Sequence, residues 1–330
     1  MLRGWRDEDA ELCRQVVQTT ADAVDPWILL RRCSLDMLSN YLRSDYHGCC
    51  VAAKDGKQLA QTAGDQYFFI IFNTMFAFAL LHLGQWRELE QTVSAALMMS
   101  EKNANRQGSV LCRLTLGWLY AEALDFESAK KCCDEVLNPT VEANPFAYFI
   151  GRNLLAKACV GLRNYPGALA QFQEIQCRVD EADGVGMDST IYPHFYSNFC
   201  QYWLEIGDLA RAREEATRLY EISVLPPERT YLALSHRLLA KIAMAEEKVE
   251  EAREHMLRAV SIAERADLPL AAWRVHATAA DFYERAGELA EAMDSRRLSR
   301  QVIERLAESL AQDEPLRATL LANYAAEALR

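Results

Sequence analysis

The sequence predicts an all-α protein, a right-handed superhelix of stacked helical hairpins, and three observations carry that prediction. Ala, Leu, Glu and Arg dominate the 330 residues, while glycine (14) and proline (9) are scarce, which is a composition for helices rather than for a turn-rich β fold. Apolar runs of about 16–20 residues have contacts at helical spacing, as in Leu116, Tyr120 and Ala123 or Phe199, Trp203 and Ile206. Short breaks between helices recur at a nearly fixed interval.

Those breaks are Ser44-Asp45-Tyr46, Gly84-Gln85-Trp86, Leu124-Asp125-Phe126, Arg163-Asn164-Tyr165, Gly207-Asp208-Leu209, Glu247-Lys248-Val249 and Gly287-Glu288-Leu289. Their first positions are separated by 40, 40, 39, 44, 40 and 40 residues, a period that means stacked repeats. Five residues after each first position stands a small or apolar residue: Cys49, Leu89, Ala129, Ala168, Ala212, Ala252 and Ala292. A small side chain there lets two helix backbones approach to within roughly 8–10 Å.

In chain order, a first helix is expected over about 6–22, and Asp25-Pro26 starts the next. Hairpins follow over 26–311. Asn144-Pro145 opens one of their first helices, where proline at the initial position removes no needed donor. The stretch Asp180 to Pro193, DEADGVGMDSTIYP, absorbs the 44-residue spacing and is expected to be a flexible insertion. A shorter break falls at Leu225-Pro226-Pro227. Gln312-Asp313 caps a last helix over about 314–329 that would cover the end of the stack. One continuous solenoid is expected over 1–330, with an N-terminal helix in 1–25, repeats in 26–311 and a capping helix in 312–330.

The motif LGWLYAEALDFESA carries the family likeness. Leu116-Gly117, Tyr120 and Ala129 resemble the tetratricopeptide consensus Trp-x2-Leu-Gly-x2-Tyr followed by Ala, and Ala168-x3-Phe172 resembles another part of it. Arg113 stands where the consensus has Trp, and Ala279-Ala280-x2-Tyr283 has lost the Leu-Gly. A period of 40 rather than 34 resembles the superhelical sensor regions of large bacterial ATPase-type transcription regulators, such as the maltose-regulon activator. Glu314 to Asn323 resembles the segment that ends such arrays in bacterial signalling proteins. The resemblance covers roughly residues 25–310 and implies about seven hairpins. It also implies a non-enzymatic scaffold or adaptor, or the sensing arm of a larger regulator.

A net charge of -11 disfavours nucleic acid and anionic lipid as partners. The charged start MLRGWRDEDAELC does not read as a signal peptide. Tyr67 to Gly84 is apolar but interrupted by Asn73, Thr74 and His82, so a buried helix is expected and no membrane span. Ten cysteines in a long chain read as small hydrophobes in a reducing cytoplasm.

Little chemistry is expected. Gly184-Val185-Gly186 follows no strand-like run, so it makes no case for a nucleotide loop. His47, His82, His194, His236, His255 and His276 are scattered without zinc-ligand spacing, and no metal or cofactor is expected. His47, Cys49 and Cys50 point apart on a helix, and so do Cys132 and Cys133. Cys13, Cys33, Cys112, Cys159, Cys177 and Cys200 fall mostly on apolar stripes. Arg296, Arg297, Arg300 and Arg305 read as a solvated face, with an anion contact as the alternative. No nucleophile–base constellation emerges, so an enzyme is not expected.

In a helical-hairpin solenoid the first helix of each pair lines the concave groove, a geometry that follows from the resemblance. Counting from each turn then places Trp118, Asn153, Lys157, His194, Asn198, Gln201, Arg237, Lys241 and Arg274 on the groove side. The equivalent N-terminal positions Ile71, Thr74 and Phe78 are mostly apolar. The basic stripe suits a protein or peptide partner with an acidic segment. Solvation, or pairing with Glu and Asp of neighbouring helices, is the alternative for the same residues. Leu234 and Leu238 stand where a chaperone-binding clamp needs cations, so heat-shock C-terminal peptides are not the expected ligand. Phe195, Tyr196, Tyr202 and Trp203 would suit an aromatic metabolite instead.

Overall fold

The computed structural model describes residues 12, 15–20, 22, 24–137, 144–181, 188–224, 228–312 and 314–327. Cys13, Gly184-Val185-Gly186, Leu225-Pro226-Pro227, Asp313 and most of the predicted first helix lie outside the described residues. Seven helical pairs run along the described chain. They are α1 (Pro26–Leu42) with α2 (Tyr46–Ala63), α3 (Gln66–Leu83) with α4 (Trp86–Lys102), and α5 (Arg106–Glu122) with α6 (Phe126–Val136). Next come α7 (Pro145–Gly161) with α8 (Tyr165–Glu181), and α9 (Asp188–Glu205) with α10 (Leu209–Ser223). Finally α11 (Arg229–Ala245) pairs with α12 (Val249–Arg265) and α13 (Pro269–Arg285) with α14 (Leu289–Glu308), before a single helix α15 (Pro315–Glu327). No strand occurs among the described residues, and the chain forms an all-α helical solenoid.

Each turn is three residues long because each residue has a separate task. The first, at Ser44, Gly84, Leu124, Arg163, Gly207, Glu247 and Gly287, sits in the left-handed region with φ between 57° and 80°. That conformation ends a helix and lets the next amide reach back five residues, as Asp45 N–H does to Asn40 O at 2.9 Å and Asp125 N–H to Tyr120 O at 2.8 Å. At four of the seven turns the second residue's side chain caps the following helix, whereas Gln85, Lys248 and Glu288 make no such bond. The side chains of Asp45, Asp125, Asn164 and Asp208 accept from the backbone N–H of Gly48, Ser128, Gly167 and Arg211 at 2.9–3.1 Å.

A left-handed residue with a side chain is strained by roughly 1–2 kcal/mol, and glycine returns part of that by gaining freedom in the unfolded chain. Arg163 and Glu247 are exposed, so their side chains carry no packing. Arg163→Gly and Glu247→Gly are therefore each expected to stabilise by about 0.5–1 kcal/mol. A higher urea midpoint with an unchanged m-value checks this, and a lower midpoint contradicts it.

The small residues do what their spacing implies. Cys49, Leu89, Ala129, Ala168, Ala212, Ala252 and Ala292 are all fully buried at 0% exposure. In the third pair, a Cβ added to Gly117 would lie 3.2 Å from Cys132 Cβ and 3.6 Å from Ala129 O. Gly117 and Ala129 together set the closeness of α5 and α6.

Successive first helices also pack on one another, α1 on α3, α3 on α5, and so on to α11 on α13, while each second helix packs on its own and the next first helix. The first helices form the inner layer. Their burial explains the apolar runs: in α3, Phe68, Phe72, Asn73 and every residue from Met75 to His82 are buried. Its length and apolarity would allow a membrane crossing, yet most of that stretch is buried inside the fold.

The inner layer winds back upon itself. α3 packs on α13, and a Cβ on Gly84 would meet Leu306 and Pro269. Ser44 Oγ and Tyr46 OH donate to Glu228 at 2.7 and 2.9 Å. The amide of Arg87 donates to Ser309 O at 3.1 Å, and Asn323 Nδ2 donates to Leu124 O at 2.9 Å. The first three turns thus rest on segments 182 to 223 residues further along.

One boundary differs from the sequence expectation. The insertion expected over Asp180 to Pro193 is shorter, because α8 continues to Glu181 and α9 begins at Asp188 with Pro193 inside it. As the sixth residue of that helix Pro193 has no N–H to give the carbonyl four residues before it, so α9 lacks one ladder bond in its second turn.

Candidate functional site

The inner faces of five first helices each present residues four apart, the spacing that stacks side chains on one helix face. α5 gives Trp118 and Glu122, α7 gives Asn153 and Lys157, α9 gives His194 and Asn198, α11 gives Arg237 and Lys241, and α13 gives Arg274 and Thr278. The winding brings these pairs to one axis.

At its centre Glu122 is buried at 5% exposure. Its carboxylate accepts from Lys157 Nζ at 2.5 Å and Trp118 Nε1 at 3.2 Å and forms an ion pair with Arg274 at 2.9 Å. Burial alone would raise this carboxyl, but Lys157 and Arg274 beside it hold it well below the usual carboxylate range. Arg274 also donates to Leu270 O at 2.8 Å and lies over the Trp273 ring. Arg237 Nε donates to Thr278 Oγ1 at 2.9 Å and to Arg274 O at 3.2 Å. Asn198 donates to Asn153 at 3.2 Å, and Gln201 to Glu205 at 2.7 Å.

The nine residues singled out from the sequence fall into two groups. Trp118, Asn153 and His194 are buried, whereas Lys157, Asn198, Gln201, Arg237, Lys241 and Arg274 are half-buried. Trp118 is therefore not left open for a ligand. Its ring stacks on His194 at 4.5 Å, meets the edge of Phe78 at 4.9 Å and spends its N–H on Glu122. Phe195, Tyr196, Tyr202 and Trp203 are likewise buried, packed among themselves and against Phe172 and Phe199. Aromatic spacing in a sequence does not distinguish ligand stacking from core stacking; only the neighbours do.

Glu122, Tyr41 and His82 were not visible as site residues. Glu122 lies four residues after Trp118 on the same face, and that register is the signal that finds it. Tyr41 OH and His82 Nε2 form a hydrogen bond at 3.1 Å, and His82 is stacked on Tyr46 at 4.4 Å. Burial pushes His82 down to about 4 and His194 to about 3, so both rings are neutral near pH 7. His82 Nδ1 and His194 Nε2 are buried without a hydrogen-bond partner. His194 and Trp118 line a small cavity with Tyr41, Met75, Phe78, Phe146, Ile150 and Ile191. Its volume, about 10 Å³, is room for about one water.

Elsewhere the residues that invite chemistry are otherwise engaged. His47 is exposed and Cys49 buried, so the two diverge. Burial pushes Cys49 and Cys133 far up and Cys200 up to about 12, which keeps these thiols protonated and poor nucleophiles. Among the described cysteines Cys177 is exposed and Cys33, Cys50 and Cys132 are half-buried. Arg296 pairs with Glu284, Arg297 with Asp294 at 2.6 Å and Arg305 with Asp267 at 3.3 Å, all at the surface. Among the described residues no group of three or more His, Cys, Asp or Glu side chains is placed to hold a metal ion. No protein-family model and no curated protein matches this sequence.

Proposed function

We propose that the chain is a non-enzymatic interaction scaffold of the tetratricopeptide kind, the sensing arm of a bacterial cytoplasmic signalling protein. Its partner is a peptide or protein bearing an acidic segment, read along the axis of the winding. One observation carries this reading. Lys157 and Arg274 meet at Glu122 and Arg237 bonds Thr278, so half-buried cations from three first helices lie close together in a chain of net charge -11. Cations concentrated inside an acidic molecule attract carboxylates that its outer surface repels.

The test is recovery of partner from lysate of the source cell by the wild type and by the Arg237→Glu, Lys241→Glu double variant. Loss of the wild-type partner by a folded double variant is expected. Unchanged recovery removes the axis as the binding surface.

A second reading is a small-molecule sensor whose metabolite takes the same half-buried polar lining, since the enclosed centre by Trp118 and His194 has room for about one water only. A thermal-shift screen against metabolites distinguishes the two. A large shift with one compound, with no protein recovered, favours the sensor.

A further inference from the structure

Glu122 is held the way a bound acid is held. An ammonium from α7, a guanidinium from α13 and an indole N–H from its own helix converge on its two oxygens. Charge-assisted donors from three directions make a carboxylate seat. The seat is not sealed: the side chains of Lys157 and Arg274 keep 16% and 15% of their exposure, against 6% for Glu122. Its own helix contributes only the Trp118 N–H and otherwise disfavours an acid at this position. Glu122 is the last residue of α5, where the exposed carbonyls make the helix end partially negative and repel a carboxylate. Its attraction to the axis comes from the other two helices.

We propose that Glu122 is an internal stand-in for a ligand carboxylate, displaced from Lys157 and Arg274 when an acidic group enters the axis. The exchange replaces one carboxylate by another, so neither cation is left buried without a partner, a state that is strongly unfavourable. Released Glu122 lies two residues before the turn at Leu124 and is freed at that end of the helix. Because Glu122 ties α5 to α7 and α13, its displacement loosens one of the contacts that close the winding. Ligand occupancy and superhelix geometry are thereby linked, since a ligand shifts the balance toward the state that binds it better. The inference rests on the axis being the partner-binding surface and names the chemical class that surface takes.

The test vacates the seat and offers it small acids. Glu122→Ala is expected to melt well below the wild type in chloride. It should regain at least about half of that loss in about 50 mM formate or acetate at matched ionic strength, because a bound ligand stabilises the folded state. The wild type, with its seat filled, should shift little. Adding Lys157→Met to Glu122→Ala should abolish the rescue. If Glu122→Ala does not fold in chloride, recovery of its helical circular dichroism on refolding in formate is the same result.

Equal stabilisation by chloride, rescue that survives Lys157→Met, or failure to fold in either anion overturns the proposal and leaves a purely structural ion cluster. The partner reading stands or falls separately. Rescue by formate alongside unchanged partner recovery in the Arg237→Glu, Lys241→Glu variant keeps the seat and removes the partner. Absent rescue with lost recovery does the reverse.

Discussion

Trp86→Ala is expected to destabilise the protein by about 3–5 kcal/mol, the range for deleting a fully buried large aromatic. Trp86 begins α4 with 0% exposure, and its indole N–H donates to Leu81 O at 3.2 Å. Its backbone amide faces Ser309 Oγ at 3.4 Å, and the neighbouring Arg87 side chain donates to Leu310 O at 3.3 Å. The ring therefore sits where the second turn meets the end of α14. Collapse around the void would pull apart hydrogen bonds between segments 223 residues distant, so little relaxation is available and the cost falls at the high end.

The same seam has a second consequence. Repeat arrays whose units touch only their neighbours unfold piecemeal, whereas contacts from the first three turns to distant segments tie the two ends together. Urea unfolding of the wild type should follow one transition by both helical dichroism and tryptophan fluorescence. Trp27→Ala is the control, since Trp27 is 54% exposed and should cost far less. A Trp86→Ala loss no larger than that of Trp27→Ala would show that the seam does not hold.

The second large effect is loss of stability in acid. Burial lowers His82 to about 4, His194 to about 3 and His236 to about 4, from an unfolded value of 6.5. A histidine whose folded pKa is depressed takes up its proton in the unfolded chain first. Stability is therefore lost as pH falls from 6.5 toward 4 and levels off for each group below its folded pKa.

Carboxylates raised by burial oppose this, among them Glu215 and Glu228. Burial raises Glu215 to about 7 and raises Glu228 as well, despite its donors from Ser44, Tyr231 and Tyr46. Each adds stability as pH falls toward 4.5, because the folded chain binds its proton first. Below 4.5 that compensation ends, and Glu122, held low by Lys157 and Arg274 against its burial, begins to act in the same direction as the histidines. The expected curve is gentle between pH 6.5 and 4.5 and steep below, with a total loss on the order of several kcal/mol.

His194→Phe tests the assignment. The ring faces Lys157, Glu122, His82 and Arg274 electrostatically and stacks on Trp118. Phenylalanine keeps the stack and removes the proton. Its unfolding midpoint at pH 4 should move toward the value at pH 7, and an unchanged pH profile would remove His194 from the explanation.

The sequence by itself determined the repeating unit. A left-handed residue, a capping residue and a small residue five positions after the turn act within a few residues of chain, so their spacing reads directly as hairpins. The inner register was legible for the same reason, since positions four apart on a helix share a face whatever surrounds them. Which helix of each pair faces inward came from the family resemblance, and counting from each turn then gave Lys157, Arg237 and Arg274 as candidates.

Only the tertiary structure decided what those residues meet. The rotation between neighbouring pairs is small and is written in no single segment, yet summed over several pairs it brings Tyr46 to Glu228 and Glu122 to Arg274. Whether Trp118 faces a ligand or His194, and whether Glu122 is one more surface acid or the centre of the axis, depends on that sum. Local chemistry fixed the unit, and accumulated geometry fixed its neighbours.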